Sequence, residues 1–184
     1  MTLNIPTILT LLRIASIPVF AVVYFLPWRH APMICALLFA AAALTDWLDG
    51  HLARRWNQTS RFGAFLDPVA DKLMVATALV LLVEAHPTPW FAVPAAIIVG
   101  REIVVSALRE WMATVGDQHR VAVSLIGKWK TTVQMAAILL LIYRDPIVGF
   151  PTVTMGLVLI VVAAMLTLWS MVNYLWAAWP ALRG

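Results

Sequence analysis

Two short stretches of the sequence place aspartates at spacings that match the repeat of an α-helix. In "TDWLDGHLA", Asp46 and Asp49 share a helical face with two residues of minimal size, Gly50 and Ala53. In "GAFLDPVAD", three residues spaced by four form a second face of this kind: Gly63, Asp67 and Asp71. If the two stripes face each other, they gather four carboxylates. Pro68 fits the second helix if it lies in the first turn.

Four carboxylates in a mostly apolar chain need positive charge to balance them. An aspartate at the centre of a membrane helix costs about 2.5 to 3.5 kcal/mol, and neighbouring carboxylates also repel one another. Two divalent cations would supply the balance, and all-oxygen ligands without His or Cys favour magnesium or manganese over zinc. A pair of such ions activates an attacking oxygen and stabilises a leaving phosphate. The cluster therefore predicts phosphate-transfer chemistry.

The residues beside the aspartates suit a ligand that carries phosphates. Gly50 and Ala53 allow a large ligand to lie against the helix backbone, and Arg54 offers a planar, permanently charged fork. A nucleotide or a diphosphate fits this surface. An alternative is that the aspartates are solvated helix-end residues, or partners of nearby basic side chains, namely Arg54, Arg55, Arg61 and Lys72. That alternative explains the charge but leaves the two stripes unexplained.

A second group of charges lies further along the chain. Arg101 is in the middle of an apolar segment, with Arg109 roughly on the same helical face, and Lys128 and Lys130 begin the next apolar segment. Because arginine inside a membrane span is a candidate for function, these residues predict a cationic pocket for an acceptor that bears its own phosphate. The alternative is that Arg101 and Glu102 satisfy neighbours within the bundle, Arg109 snorkels, and the lysines mark topology.

The elements that position these residues are apolar helices. The 184-residue chain is 62% hydrophobic and 12% charged, against about 25% charged in soluble domains, which is typical of a membrane protein. Its apolar stretches predict one all-α membrane domain over residues 1–184, with spans near 8–26, 31–53, 63–84, 90–112, 123–143 and 152–178. Six spans place both termini on the same side of the membrane.

The distribution of basic residues between the spans sets the orientation. Arg29 and Arg144 fall on one side. Seven others fall on the opposite side: Arg54, Arg55, Arg61, Arg120, Lys128, Lys130 and Arg183. By the positive-inside rule the second side is cytoplasmic, so both termini and the aspartate hairpin are expected there.

The aspartate pattern also resembles the signature of a known family. D-x-x-D-G-x-x-A-R, eight residues, and G-x-x-x-D-x-x-x-D run without departure from Asp46 to Asp71, similar to the CDP-alcohol phosphotransferase family. The resemblance implies a six-helix membrane enzyme that moves a phosphatidyl group from CDP-diacylglycerol to an alcohol and releases CMP. It implies that two ions, Mg²⁺ or Mn²⁺, are held by four residues, Asp46, Asp49, Asp67 and Asp71. It further implies Asp71 as the base, and CDP-diacylglycerol contacts from Gly50, Ala53, Arg54 and Ser60.

Other segments resemble a bacterial subgroup of this family whose acceptor is glycerol 3-phosphate. These segments are "NIPTILTLLR", "REIVVSALREWMA", "GKWKTTVQM" and "LTLWSMVNYL". The resemblance implies that the acceptor phosphate contacts Arg101, Arg109, Lys128 and Lys130, and that the cytoplasmic mouth is closed by Asn4, Thr10 and Arg13. It also implies a homodimer in the bacterial inner membrane, with lipid rather than nucleic acid as its partner.

Three other functions remain open at this stage. A family member with a different acceptor alcohol would share the aspartate pattern. An aspartate-rich prenyltransferase would also bind metal and diphosphate, but it does not need D-G-x-x-A-R at this spacing. A metal transporter would place its acidic residues along a pathway across the membrane, whereas here they gather near one predicted end.

Overall fold

The computed structural model describes residues 5–56, 61–115, 125–146 and 149–182, with side chains described for 7–46, 62–63, 65–114, 129–146 and 149–179. Within these ranges the chain forms six helices: α1 (Ile5–Phe25), α2 (Ala31–Trp56), α3 (Arg61–Ala85), α4 (Pro89–Val115), α5 (Leu125–Tyr143) and α6 (Thr152–Leu182). Each coincides with one predicted apolar segment, and the ends differ by at most four residues. The all-helical prediction is confirmed.

Local signals account for where helices begin and end. α4 starts at Pro89, a residue suited to the first helical position because its missing N–H has no partner to lose there. The carbonyl of Thr88 accepts hydrogen bonds from the amides of Phe91 and Ala92, at 3.0 and 2.9 Å. At the other end of a helix, α5 stops where Arg144 takes a left-handed backbone conformation, with φ of 62°.

Pro68 lies within α3 and not in its first turn. Because α3 begins at Arg61, Pro68 lies inside the helix, so the condition of a first-turn position is not met. Proline has no N–H to donate to the carbonyl of Ala64, but membrane helices tolerate this loss where neighbours satisfy the backbone. Asp67 and Asp71 therefore still lie on one continuous helix.

Three helices in the described part of the chain are long and apolar enough to cross a membrane: Thr7–Phe25, Pro89–Thr114 and Thr152–Trp179. Shorter apolar helices cover Ala31–Asp46 and Trp129–Tyr143. These lengths and compositions are those of a membrane protein. The count of six spans and the orientation stay predictions.

The surface of the molecule is also apolar where a soluble protein would be polar. Leu12, Val80 and Ile103 expose 60%, 65% and 65% of their area. Trp90 and Trp176 are 81% and 78% exposed near helix ends, the positions that tryptophan favours at a membrane interface. Lipid rather than water suits such a surface.

The chain divides into two compact units. The first unit comprises Met1–Ala85 and Ile138–Val153, and the second comprises His86–Ala137 and Thr154–Gly184. In the first unit, α1 packs against both α2 and α3, so it lies along the hairpin that carries the aspartates. The second unit holds α4 with most of α5 and α6. The prediction of one domain stays a prediction.

Candidate active site

Two polar residues of α1 reach the aspartates of the first unit. Thr10 and Arg13 lie one helical turn apart and are 0% and 4% exposed. The Thr10 hydroxyl donates to Oδ1 of Asp67 at 2.5 Å, and Nη1 of Arg13 donates to Oδ1 of Asp46 at 2.9 Å. One turn of α1 therefore holds a carboxylate from α2 and a carboxylate from α3.

The other two aspartates, Asp71 and Asp49, lie on the same two helices as Asp67 and Asp46. Asp71 is half-buried and lies one turn beyond Asp67 on the same face of α3. The side chain of Asp49 lies outside the described side chains, although α2 runs through its position. Within the described residues, no three acidic, His or Cys side chains form a group able to hold a metal. The four-aspartate site therefore stays a prediction.

The described carboxylates of Asp46 and Asp67 are the type of ligand that magnesium and manganese prefer. Both bonds from α1 use the Oδ1 oxygen, and an ionised carboxylate can accept about four hydrogen bonds or metal contacts through its two oxygens. The Asp46 side chain is 45% exposed, so it is accessible to an ion. Carboxylate oxygens that are held in place in this way are suitable ligands for a hard divalent cation.

The residues expected to contact CDP-diacylglycerol continue along the same helix. Because α2 is unbroken from Ala31 to Trp56, Gly50 and Ala53 share its face with Asp46, and Arg54 follows directly. Their side chains lie outside the described set. Ser60 and Asn4 lie outside the described residues altogether.

Arg101 of the second unit is buried because of its place on α4. The buried face of that helix repeats every seven residues, through Phe91, Ile98, Val105 and Met112. Arg101 lies one turn after Ile98 on this face and is 8% exposed. Its Nη1 donates to Oε1 of Glu102 at 2.8 Å, and its Nη2 donates to the hydroxyl of Ser170 at 3.3 Å.

Two further cations surround the same groups. Nζ of Lys130, on α5, donates to the same Oε1 of Glu102 at 3.4 Å, and Lys130 is 2% exposed. Nη2 of Arg109 donates to the Tyr174 hydroxyl at 2.9 Å. The guanidinium carbons of Arg101 and Arg109 lie 5.7 and 5.3 Å from the centre of the Tyr174 ring. The side chain of Lys128 lies outside the described set.

This cationic cluster, formed by Arg101, Arg109 and Lys130, has more positive than negative charge. Arg101 and Lys130 share the carboxylate of Glu102, whereas Arg109 bonds the Tyr174 hydroxyl. The Nε of Arg101 is buried without a hydrogen-bond partner in the described part of the chain. A buried charge is costly unless it is paired, so the excess favours an anionic ligand. The Arg101–Glu102 pair fits the structural alternative, but that pair does not account for Lys130 and Arg109.

Sequence reasoning missed several of these partners. The sequence did not predict that Thr10 and Arg13 contact the aspartates, and their place at the cytoplasmic mouth stays a prediction. Ser170 and Tyr174 were given no role. A signal for them existed, because polar residues recur on one face of the very apolar α6, at Thr167, Ser170 and Tyr174.

Comparison with known proteins adds information that geometry does not supply. The family model described as CDP-alcohol phosphatidyltransferase matches residues 3–179. Proteins named CDP-diacylglycerol--glycerol-3-phosphate 3-phosphatidyltransferase from Sodalis glossinidius and Salmonella typhimurium are each 57% identical over 179 residues, covering 97% of this chain and 96% of theirs. One from Yersinia enterocolitica is 54% identical over 182 residues, covering 99% and 98%.

Proposed function

The chain belongs to the CDP-alcohol phosphatidyltransferase family, and we propose that it transfers the phosphatidyl group of CDP-diacylglycerol to glycerol 3-phosphate. The products are phosphatidylglycerophosphate and CMP, which makes the protein a transferase of phospholipid biosynthesis. The observation that carries this function is the 57% identity, over 97% of the chain, to relatives named for this reaction. The cationic cluster supports it independently, because the acceptor bears a phosphate.

The proposed metal ligands are four aspartates: Asp46, Asp49, Asp67 and Asp71. Support comes from their spacing and from the bonds that fix Asp67 and Asp46 against Thr10 and Arg13 of α1. Two divalent cations, Mg²⁺ or Mn²⁺, bound to these carboxylates would stabilise the negative charge of the reacting phosphates. The bonds from α1 orient two of the carboxylates, which would lower the ordering cost of binding an ion there.

The proposed chemistry is a direct displacement at phosphorus. The primary hydroxyl oxygen of glycerol 3-phosphate forms a bond to the phosphorus that bears the diacylglycerol, while the bond between that phosphorus and the oxygen of CMP breaks. The hydroxyl proton passes to the carboxylate of Asp71, which acts as general base. Positioning and electrostatic stabilisation supply most of the rate acceleration.

The donor lipid is proposed to lie along α2. Gly50 and Ala53 lack bulk and allow the cytidine diphosphate portion to approach the helix, while Arg54 and Ser60 contact its polar groups. The unbroken course of α2 through residues 46–54 supports this arrangement. The acyl chains remain in the bilayer.

The acceptor phosphate is proposed to contact Arg101, Arg109, Lys128 and Lys130. Support comes from the excess of cations over carboxylates around Glu102, and from the buried Nε of Arg101. The planar guanidinium groups suit phosphate oxygens, and their stacking on Tyr174 limits their motion. Asn4, Thr10 and Arg13 are proposed to close the cytoplasmic mouth, the last two while bonded to the aspartates.

The proposed setting is the bacterial inner membrane. Six spans with both termini in the cytoplasm follow from the basic residues between the apolar segments. Three apolar helices of spanning length in the described ranges support a membrane location. A single domain and a homodimer complete the proposal.

One assay tests the function directly. The purified protein receives CDP-diacylglycerol, Mg²⁺ or Mn²⁺, and in parallel glycerol 3-phosphate, serine, inositol phosphate or phosphatidylglycerol. CMP release is expected with glycerol 3-phosphate and not with the others. CMP release with another acceptor alone would overturn the acceptor and leave the family unchanged. If none of the acceptors supported CMP release and the protein used a prenyl donor instead, the phosphatidyl transfer itself would be overturned.

A further inference from the structure

A cavity of about 300 Å³ lies in the first unit, far along α1 from the aspartates. It is lined by the end of α1, the connection to α2, the start of α2 and the end of α5, including Tyr24, Arg29, Cys35 and Arg144. Tyr24 is eleven residues beyond Arg13, which corresponds to about 16 Å along the helix axis. The cavity is therefore separate from the contacts that hold Asp46 and Asp67.

The backbone of Arg144 is fixed in an unusual conformation at this cavity. Its φ of 62° is a value that glycine or asparagine adopts most readily after a helix. The Arg144 amide donates to the carbonyl of Leu140 at 3.2 Å. Its own carbonyl accepts from the hydroxyl of Thr152, a residue that is 3% exposed, at 3.2 Å. An arginine with a strained backbone suggests that its side chain is needed there.

The guanidinium of Arg144 is also held in place. It lies 4.8 Å from the centre of the Tyr24 ring and donates to the Tyr24 hydroxyl through Nη2. The Tyr24 hydroxyl in turn donates to the carbonyl of Leu81 at 3.1 Å. The Nε of Arg144 is buried and has no hydrogen-bond partner among the described residues. Arg144 therefore combines a fixed position with an unused donor.

The charged residues that line the cavity favour an anion, although Glu84 lies close enough to interact electrostatically with Tyr24. Arg29 and Arg144 both line it, and no aspartate or glutamate is found among its described lining residues. Two guanidinium groups on one small cavity match the oxygens of a phosphate group, since each presents a planar fork of N–H donors.

The surroundings indicate where such a phosphate would come from. Phe25, Leu26 and Trp28, at and just beyond the end of α1, are 62%, 44% and 56% exposed. Exposed aromatic and aliphatic side chains at the end of a membrane-spanning helix mark the headgroup level of a bilayer. We propose that the cavity between Arg29 and Arg144 binds the phosphate group of an anionic phospholipid, at a site distinct from the transferase site.

Lipid binding by the purified full-length protein tests this site. Native mass spectrometry in detergent measures retention of phosphatidylglycerol, of phosphatidylcholine, and of inorganic phosphate in separate titrations. Phosphatidylglycerol is expected to bind most tightly, and Arg29→Gln and Arg144→Gln are each expected to weaken it by about tenfold or more. Arg183→Gln removes the same charge elsewhere in the sequence and should leave the affinity unchanged.

Two results would overturn the proposal. Equal retention of phosphatidylglycerol by the parent protein and by both glutamine variants would remove the cavity as the site. Binding of inorganic phosphate with the same arginine dependence, and no such dependence for the lipid, would overturn the lipid as ligand.

A further variant separates binding from folding. Arg144→Gly removes the guanidinium but suits the left-handed backbone, so it should fold even if Arg144→Gln does not. Loss of phosphatidylglycerol from a folded Arg144→Gly protein, checked by its thermal midpoint and elution profile, is the expected result. Full retention by that variant would contradict the proposal.

Discussion

The aspartates of the first unit and the cationic cluster of the second unit are opposite charges in an apolar environment, and they are stabilised differently. In the first unit, carboxylates of α2 and α3 are bonded by a separate helix, through Thr10 and Arg13. In the second unit, cations from α4 and α5 converge on a single carboxylate, Glu102, and two guanidinium groups lie over one tyrosine ring. In each unit, these described charged groups are held by contacts within that unit.

The difference teaches what kind of ligand each unit can accept. Hydrogen bonds to one oxygen of Asp46 and of Asp67 orient acidic groups without neutralising all of them, which favours cations. Arg101 and Lys130 share one carboxylate, and Arg109 bonds a tyrosine hydroxyl. The resulting excess of positive charge favours a phosphate. Buried charges that are only partly paired destabilise the folded protein. They are expected where a bound ligand of opposite charge pairs with them.

The largest expected effect tests the acidic side of this comparison. Asp71→Asn keeps the size of the side chain but removes its ability to take a proton. Turnover is expected to fall by about 10²- to 10⁴-fold, the range for loss of a general base, while CDP-diacylglycerol binding is largely retained. CMP release and lipid binding measure the two quantities. Asp145→Asn, the same change at an exposed aspartate, serves as control, and unchanged turnover in Asp71→Asn would exclude Asp71 as base.

A smaller effect is expected from the helix that orients the carboxylates. Thr10→Ala removes the hydroxyl that donates to Asp67 and should lower Mn²⁺ affinity by about tenfold or more, as for other residues that orient metal ligands. A Mn²⁺ titration followed by electron paramagnetic resonance, without substrate, measures this. Thr10→Ser keeps the hydroxyl and should restore the affinity. If the Thr10→Ala and Thr10→Ser variants bind Mn²⁺ equally well, the hydrogen bond from Thr10 to Asp67 contributes only to packing.

The cationic side is tested by Arg109. Arg109→Ala removes a guanidinium from the cluster and should raise the KM for glycerol 3-phosphate about tenfold, with a smaller change in kcat, because a charged hydrogen bond to the acceptor is lost. Initial rates of CMP release over a range of acceptor concentrations measure both parameters. Glu110→Ala, at the next and exposed position of α4, is the matched control. An unchanged KM in Arg109→Ala would assign that residue a structural role.

The smallest effect separates the two ways in which Tyr174 holds the arginines. Tyr174→Phe removes the hydroxyl that accepts from Arg109 but keeps the ring beneath both guanidinium groups. The KM for glycerol 3-phosphate should rise about threefold, the effect of one ordinary hydrogen bond. Tyr174→Leu, which also removes the ring, should raise it further. Identical values for the two variants would show that the ring contributes nothing.

The sequence was sufficient for the helices because their signal is local. Apolar runs of spanning length, interrupted by proline and polar residues, predicted six helices with ends within four residues of those observed. The aspartate pattern predicted the family, which the match over residues 3–179 confirms. The place of Pro68 inside α3 was not predicted, because proline by itself favours a first turn, and only neighbouring groups that satisfy the backbone allow it further along a membrane helix.

The partners of the charged side chains depended on the tertiary structure. Residue spacing predicts which residues share a face of one helix, such as Asp67 and Asp71. It does not predict that α1 packs against that face. The bonds from Thr10 to Asp67 and from Arg101 to Ser170 join residues 57 and 69 positions apart. By itself the sequence determined the helices, the family and which residues carry charge. Folding decided which charges meet, because such contacts are set by how helices pack against one another and not by periodicity within any one of them.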